Sequence, residues 1–148
     1  MWWNAVPDAY FNDVRNPLRY TPGCHAPDPH TLNQHDFDEA VRDSLACLPE
    51  WVRGALDNIE VLVRDEPDEE LDPEGEGLLG LYVGLPLPER GVDYAGELPD
   101  VIYIFRRAHL ELELGPSELR EEIAKTLIHE IAHYFGIDDD HLDEIGWG

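Results

Sequence analysis

Apolar residues recur along the chain with two periods. Phe37, Ala40, Val41, Leu45 and Leu48 are spaced by three or four, which predicts an amphipathic helix from Asp36 to Leu48. Pro49 ends it, and Trp51 to Leu56 reads as a short further turn. At Ile59 the period drops to two. Ile59, Val61 and Val63 alternate with Glu60, Leu62 and Arg64, which predicts a strand with one buried face. Leu78 to Val83 is a second strand candidate, weakened by Gly80. Val101 to Phe105 is apolar or aromatic throughout and predicts the third strand, followed by a connecting segment around His109 to Gly115. The longest helical period comes last: Leu119, Ile123, Leu127, Ile131 and Phe135, widened by Ala124 and Ile128. Pro116 and Ser117 open this helix, with Ser117 as the expected N-cap and Glu118, Glu121 and Glu122 at the positive end of its dipole. Gly136 suits the left-handed residue that ends a helix, and a short helix from Asp139 to Ile145 is expected after it.

This order of elements predicts an α+β fold: a small mixed or antiparallel sheet packed against the long helix. Residues 1–34 stand apart. They hold Pro7, Pro17, Pro22, Pro27 and Pro29, show no period, and read as an extended arm, ordered only where Trp2, Trp3, Tyr10 or Phe11 meets a groove. The expected organisation is therefore a Pro-rich extension over 1–34 and one domain over 35–148, as a chain of 148 residues allows. Residues 65–77 form an acidic loop. It lacks the order of carboxylates and the terminal Glu of an EF-hand, so a solvated loop is the simpler reading. Cys24, His25, His30 and His35 have no metal-ligand spacing and read as incidental.

Charge narrows the function classes. With 33 acidic and 10 basic residues the formal net charge is -23, a surface that repels nucleic-acid phosphates and anionic membranes. No apolar run approaches the length of a membrane span, and the N-terminus lacks the basic and apolar regions of a signal peptide. Two cysteines, Cys24 and Cys47, form no disulfide framework and are expected as thiols. A cytoplasmic location is the working expectation.

The chemistry concentrates in H-E-I-A-H-Y-F-G-I-D-D, residues 129 to 139. On a helix His129 and His133 lie one turn apart on one face, with Glu130 beside them. Two imidazoles with an adjacent carboxylate describe a hydrolytic zinc site, with Glu130 as general base toward the zinc-bound water. Such a site needs a third protein ligand. The turn expected at Gly136 favours Asp139, ten residues after His129, with His141 as the alternative. One aspartate of the run Asp138, Asp139 and Asp140 is also expected to cap the last helix.

Three blocks extend the pattern: L-P-E-W-V-R-G-A-L-D-N-I-E-V-L-V-R-D-E-P; G-L-Y-V-G-L-P-L-P-E-R with Y-A-G-E-L-P-D-V-I-Y-I-F-R; and L-R-E-E-I-A-K-T-L-I-H-E-I-A-H-Y-F-G-I-D-D-D-H-L. With them the chain resembles the small bacterial zincin-like metallopeptidases, or minimal zincins, over roughly residues 37–145. The resemblance implies an α+β fold with a small sheet beside an active-site helix. It implies zinc on His129 and His133, Asp139 at the family's motif aspartate, and Glu130 as catalytic base. Residues 1–34 and His141 depart from the family pattern.

The leading expectation is a zinc peptidase that cuts a peptide or protein substrate lying extended along a sheet edge. Tyr94, Tyr134 or His109 could supply a second donor to the developing oxyanion. The main alternative is a zinc-binding protein-interaction module with little or no peptidase activity. A metal-dependent ribonuclease is disfavoured by the acidic surface and by the Glu after His129.

Overall fold

The computed structural model describes residues 34–92, 94 and 98–144. The N-terminal arm, with Cys24, His25 and His30, lies outside them. Helix α1 spans Gln34–Ala46 and α2 spans Glu50–Ala55. Strand β1 (Ile59–Arg64) follows, then β2 (Gly80–Val83) and a single 3-10 turn at Leu87–Glu89. Strand β3 (Asp100–Phe105) runs directly into α3 (Arg106–Leu110), and α4 (Pro116–Tyr134) and α5 (Asp139–Glu144) complete the fold.

The sheet has the order β1-β3-β2, with β3 in the middle. β1 pairs with β3 in parallel and β2 pairs with β3 antiparallel, so the sheet is mixed and β2 is an edge. Residues opposite one another in register share a face. Val61, Ile102 and Tyr82 therefore lie on one face, and Leu62, Tyr103 and Leu81 on the other. The first face meets the helices. Ile102 and Ile104 join Phe37, Val41, Leu119, Ile123, Leu127 and Ile131 in one apolar core, with Val61, Val63 and Tyr82 at its margin. The stripe expected on the long helix is thus the side that α4 turns to the sheet and to α1. Among the described residues no helix is long and apolar enough to cross a membrane.

Two local expectations are corrected. Ser117 is not the N-cap of α4: Gly115 takes that place in an extended conformation (ψ 161°), with Pro116 as the first helical residue. Proline fits there because its missing N–H would be unsatisfied anyway, and this starts the helix before Ser117. Glu118 reaches back to accept a hydrogen bond from the Gly115 N–H at 3.1 Å. The segment after β3 is not all connection, because Arg106–Leu110 is helical. One and a half turns are too short to carry a readable period. They are held instead by a distant pairing, in which the buried Arg106 binds Asp38 of α1 at 2.9 Å and also Asp65 beyond β1. The acidic loop spends some of its carboxylates on its own turns, as Asp72 does with the N–H groups of Glu76 and Gly77.

Candidate metal centre

Helix α4 sets His129 edge-to-face with His133, with ring centroids 4.7 Å apart. The helix then ends in a Schellman motif. The Gly136 N–H donates to the His133 carbonyl at 2.9 Å and the Ile137 N–H to the Ala132 carbonyl at 3.0 Å, with Gly136 left-handed at φ 86°. Ile137 packs with Ala132 and Leu142 in a small second core, which seats the returning chain. The turn does two things for the site. It brings the Ile137 carbonyl 2.8 Å from His133 Nδ1. A carbonyl only accepts, so Nδ1 carries the proton and Nε2 is left with the lone pair that a metal could take. It also swings Asp139 back over the imidazoles, with Oδ1 3.1 Å from His129 Nε2 and 3.2 Å from His133 Nε2.

The three ligand atoms all lie within 4.8 Å of one another. Two imidazole nitrogens and one carboxylate oxygen are a donor set suited to zinc. Asp139 stands at the surface, with a side chain 76% exposed, so a metal held by the three residues would be reachable from solvent. Asp138 does the capping, accepting the His141 N–H at 2.9 Å. His141 points away, with Nδ1 3.6 Å from Glu144. His35, Asp36 and Glu39 also converge at the start of α1.

Glu130 faces a different neighbour. It is only 6% exposed and lies against the edge strand β2, where the Tyr82 N–H donates to its carboxylate. Burial pushes its carboxyl up to about 7, opposed by His133 and the Tyr82 N–H and reinforced by Asp139. Gly80 is what makes room. A Cβ there would sit 2.7 Å from Thr126 Cγ2 and 3.0 Å from Glu130 Cγ and Oε1. The glycine that weakens β2 as a strand is the one that lets the carboxylate reach it.

Sequence reasoning did not find the elements that brace this edge. Tyr82 donates its hydroxyl to Asp100 Oδ2 at 2.6 Å, and Arg90 binds the same buried oxygen. Burial, then the hydrogen bond to Asp100, pushes the Tyr82 hydroxyl above its ordinary pKa. Arg90 also holds the Leu85 carbonyl at 2.9 Å and lies over the rings of Tyr94 and Tyr134. The connection after β2 is thereby tied to the start of β3, and its Pro88 fills the space where a Cβ at Gly136 would stand, 2.6 Å away. The one legible signal was a glycine inside a strand.

Of the candidate oxyanion donors, Tyr134 gives its hydroxyl to the Ala55 carbonyl at 2.9 Å, and His109 is fully buried and bonded to Phe105 and Thr126. Neither is available to a substrate. Tyr94 is the partly exposed one of the three.

A search of the curated proteins gives no match. The family model described as zincin-like metallopeptidase matches residues 56–147, from the end of α2 past α5. It leaves α1 and the block Leu48 to Ala55 outside, but takes in the whole sheet, α4 and the turn that follows. That match covers more than half of the chain, and the chain belongs to the zincin-like metallopeptidase family, for which zinc is the implied metal.

Proposed function

We propose that the protein is a zinc-dependent peptidase in which His129, His133 and Asp139 hold the metal and Glu130 is the general base. The observation that carries this reading is Asp139 Oδ1 within 3.2 Å of both Nε2 atoms while Glu130 lies buried beside them. When bound, zinc supplies Lewis acidity, which acidifies water and polarises a scissile carbonyl. The chain's own groups do the rest. The turn at Gly136 and the Ile137 carbonyl fix the His133 tautomer, so this imidazole presents Nε2 without a change of tautomer. Glu130 takes the proton of the attacking water on its carboxylate and returns it to the leaving amine. The Tyr82 N–H holds that carboxylate in one orientation.

Substrate alignment follows from the edge position of β2. The bond from the Phe105 N–H to the Leu79 carbonyl fixes the ladder, so Gly80 and Tyr82 turn their backbone groups outward; the Tyr82 N–H meets Glu130, and a peptide would pair with the others. An extended peptide adds along this edge, beside Glu130.

The experiment is Glu130→Gln in zinc-loaded protein. Zinc content should stay and hydrolysis of a broad peptide library should vanish. Cleavage at the wild-type rate by the variant ends the peptidase reading. If zinc-loaded wild type cuts no peptide while the variant holds a stable protein partner, the interaction-module alternative replaces it.

A further inference from the structure

Behind the site, fully buried near the end of α3, His109 makes two hydrogen bonds that the reaction does not use. Nδ1 is 2.7 Å from the Phe105 carbonyl. That oxygen only accepts, so Nδ1 carries the proton and Nε2 presents a lone pair. Nε2 lies 3.1 Å from Thr126 Oγ1, so the threonine hydroxyl is the donor. The ring is packed edge-on against Phe37, with centroids 5.5 Å apart.

Threonine in a helix divides between two χ1 wells. A hydroxyl committed to His109 selects one of them and sends the methyl to the other side. That methyl, Cγ2, borders Gly80, 2.7 Å from where a Cβ would be. Thr126 and Glu130 are one turn apart on α4, and Glu130 Oε1 borders the same glycine. Methyl and carboxylate together floor the edge strand.

We infer that His109 is a positioning residue: by accepting the Thr126 hydroxyl it holds the Thr126 methyl against Gly80 and sets the gap in which the Glu130 carboxylate meets the Tyr82 N–H. The inference rests on Glu130 being the base. Without the acceptor, Thr126 turns, its hydroxyl faces Gly80, and Glu130 gains a competing donor that draws it off Tyr82.

Thr126→Ser, Thr126→Val, His109→Leu and the double variant His109→Leu/Thr126→Val separate this from a purely structural role. Serine keeps the donor and loses the methyl. Valine loses the donor but presents a methyl in either well. With zinc saturating, Thr126→Ser and His109→Leu should each lower kcat about tenfold with KM unchanged, the scale set by small misplacements of a catalytic group. Thr126→Val should keep kcat near wild type although it leaves His109 Nε2 without a donor. The double variant should recover the kcat lost by His109→Leu, since it replaces both partners of the His109–Thr126 hydrogen bond by apolar groups, while the Phe105 carbonyl loses the imidazole donor equally in both variants. A wild-type kcat in Thr126→Ser, an equal fall in Thr126→Val, or no recovery in the double variant overturns the inference. If His109→Leu does not fold, the two Thr126 variants decide. The Tyr82 amide proton is a readout independent of turnover: it should move upfield in Thr126→Ser and stay in place in Thr126→Val. Wild-type protein that cuts nothing would end the peptidase reading, while this shift would still test the positioning.

Discussion

The two halves of the site are built differently. The trio His129, His133 and Asp139 comes from a single stretch of chain, one helical turn and the Schellman turn that follows. It stands at the surface. Glu130, in the same stretch, is buried and takes its surroundings from β2, some fifty positions earlier. The ligand half is local and needs little beyond α4 and its C-terminal turn. The base half is non-local and needs the sheet in register. Metal binding and hydrolysis should therefore separate under mutation.

The largest separation is expected at Glu130 itself. Glu130→Gln should lower kcat/KM by about 10²–10⁴-fold, the usual contribution of a general base, with zinc content by mass spectrometry unchanged. Loss of zinc alongside activity would mean the halves are not independent. Asp139→Ala is the converse: zinc affinity, read by competition with a chelator, should fall by at least about 100-fold, more than outer-shell changes cost. His141→Ala should leave that affinity alone; if it matches Asp139→Ala, the ligand choice is wrong. Gly80→Ala strikes the base half from the sheet side. Overpacking against Thr126 and Glu130 should cost roughly 1–3 kcal/mol by denaturant titration and reduce turnover, with zinc affinity of the folded fraction preserved. The smallest effect concerns acid. Burial holds His109 below its ordinary 6.5, so the unfolded chain binds more protons below that pH. The stability contributed by neutral His109 is full above 6.5 and is lost as the pH falls below it. His109→Gln should flatten the melting-temperature profile below pH 6.5, and an unchanged slope would assign the acid sensitivity to other groups.

What could be read in advance follows the same division. The α4 stripe, the glycine stop at Gly136 and the spacing of His129, Glu130 and His133 are set within a few turns of chain, and sequence periodicity reaches that far. Spacing favours Asp139 and leaves His141 as the alternative. In the fold Asp138 takes the cap, and the chain after Gly136 brings Asp139 to the two imidazoles. The helix Arg106–Leu110 is held by Arg106 reaching Asp38 and Asp65, contacts from far along the chain that leave no local mark. The place of Gly80 under Thr126 and Glu130, and the pairing of Arg90 with Asp100, are products of the sheet's assembly. Gly80 was visible only as an apparent flaw in a strand.

Pro88 against Gly136 joins the halves that are otherwise separate. Gly136 aims the segment bearing Asp139, and Pro88 belongs to the connection leaving the edge strand, so the joint is shared. Equilibrium linkage makes such a joint reciprocal. By whatever factor a peptide gripping the connection changes the affinity for zinc, zinc changes the affinity for that peptide by the same factor. Cargo and metal would then report on each other through one proline ring seated where a side chain is missing.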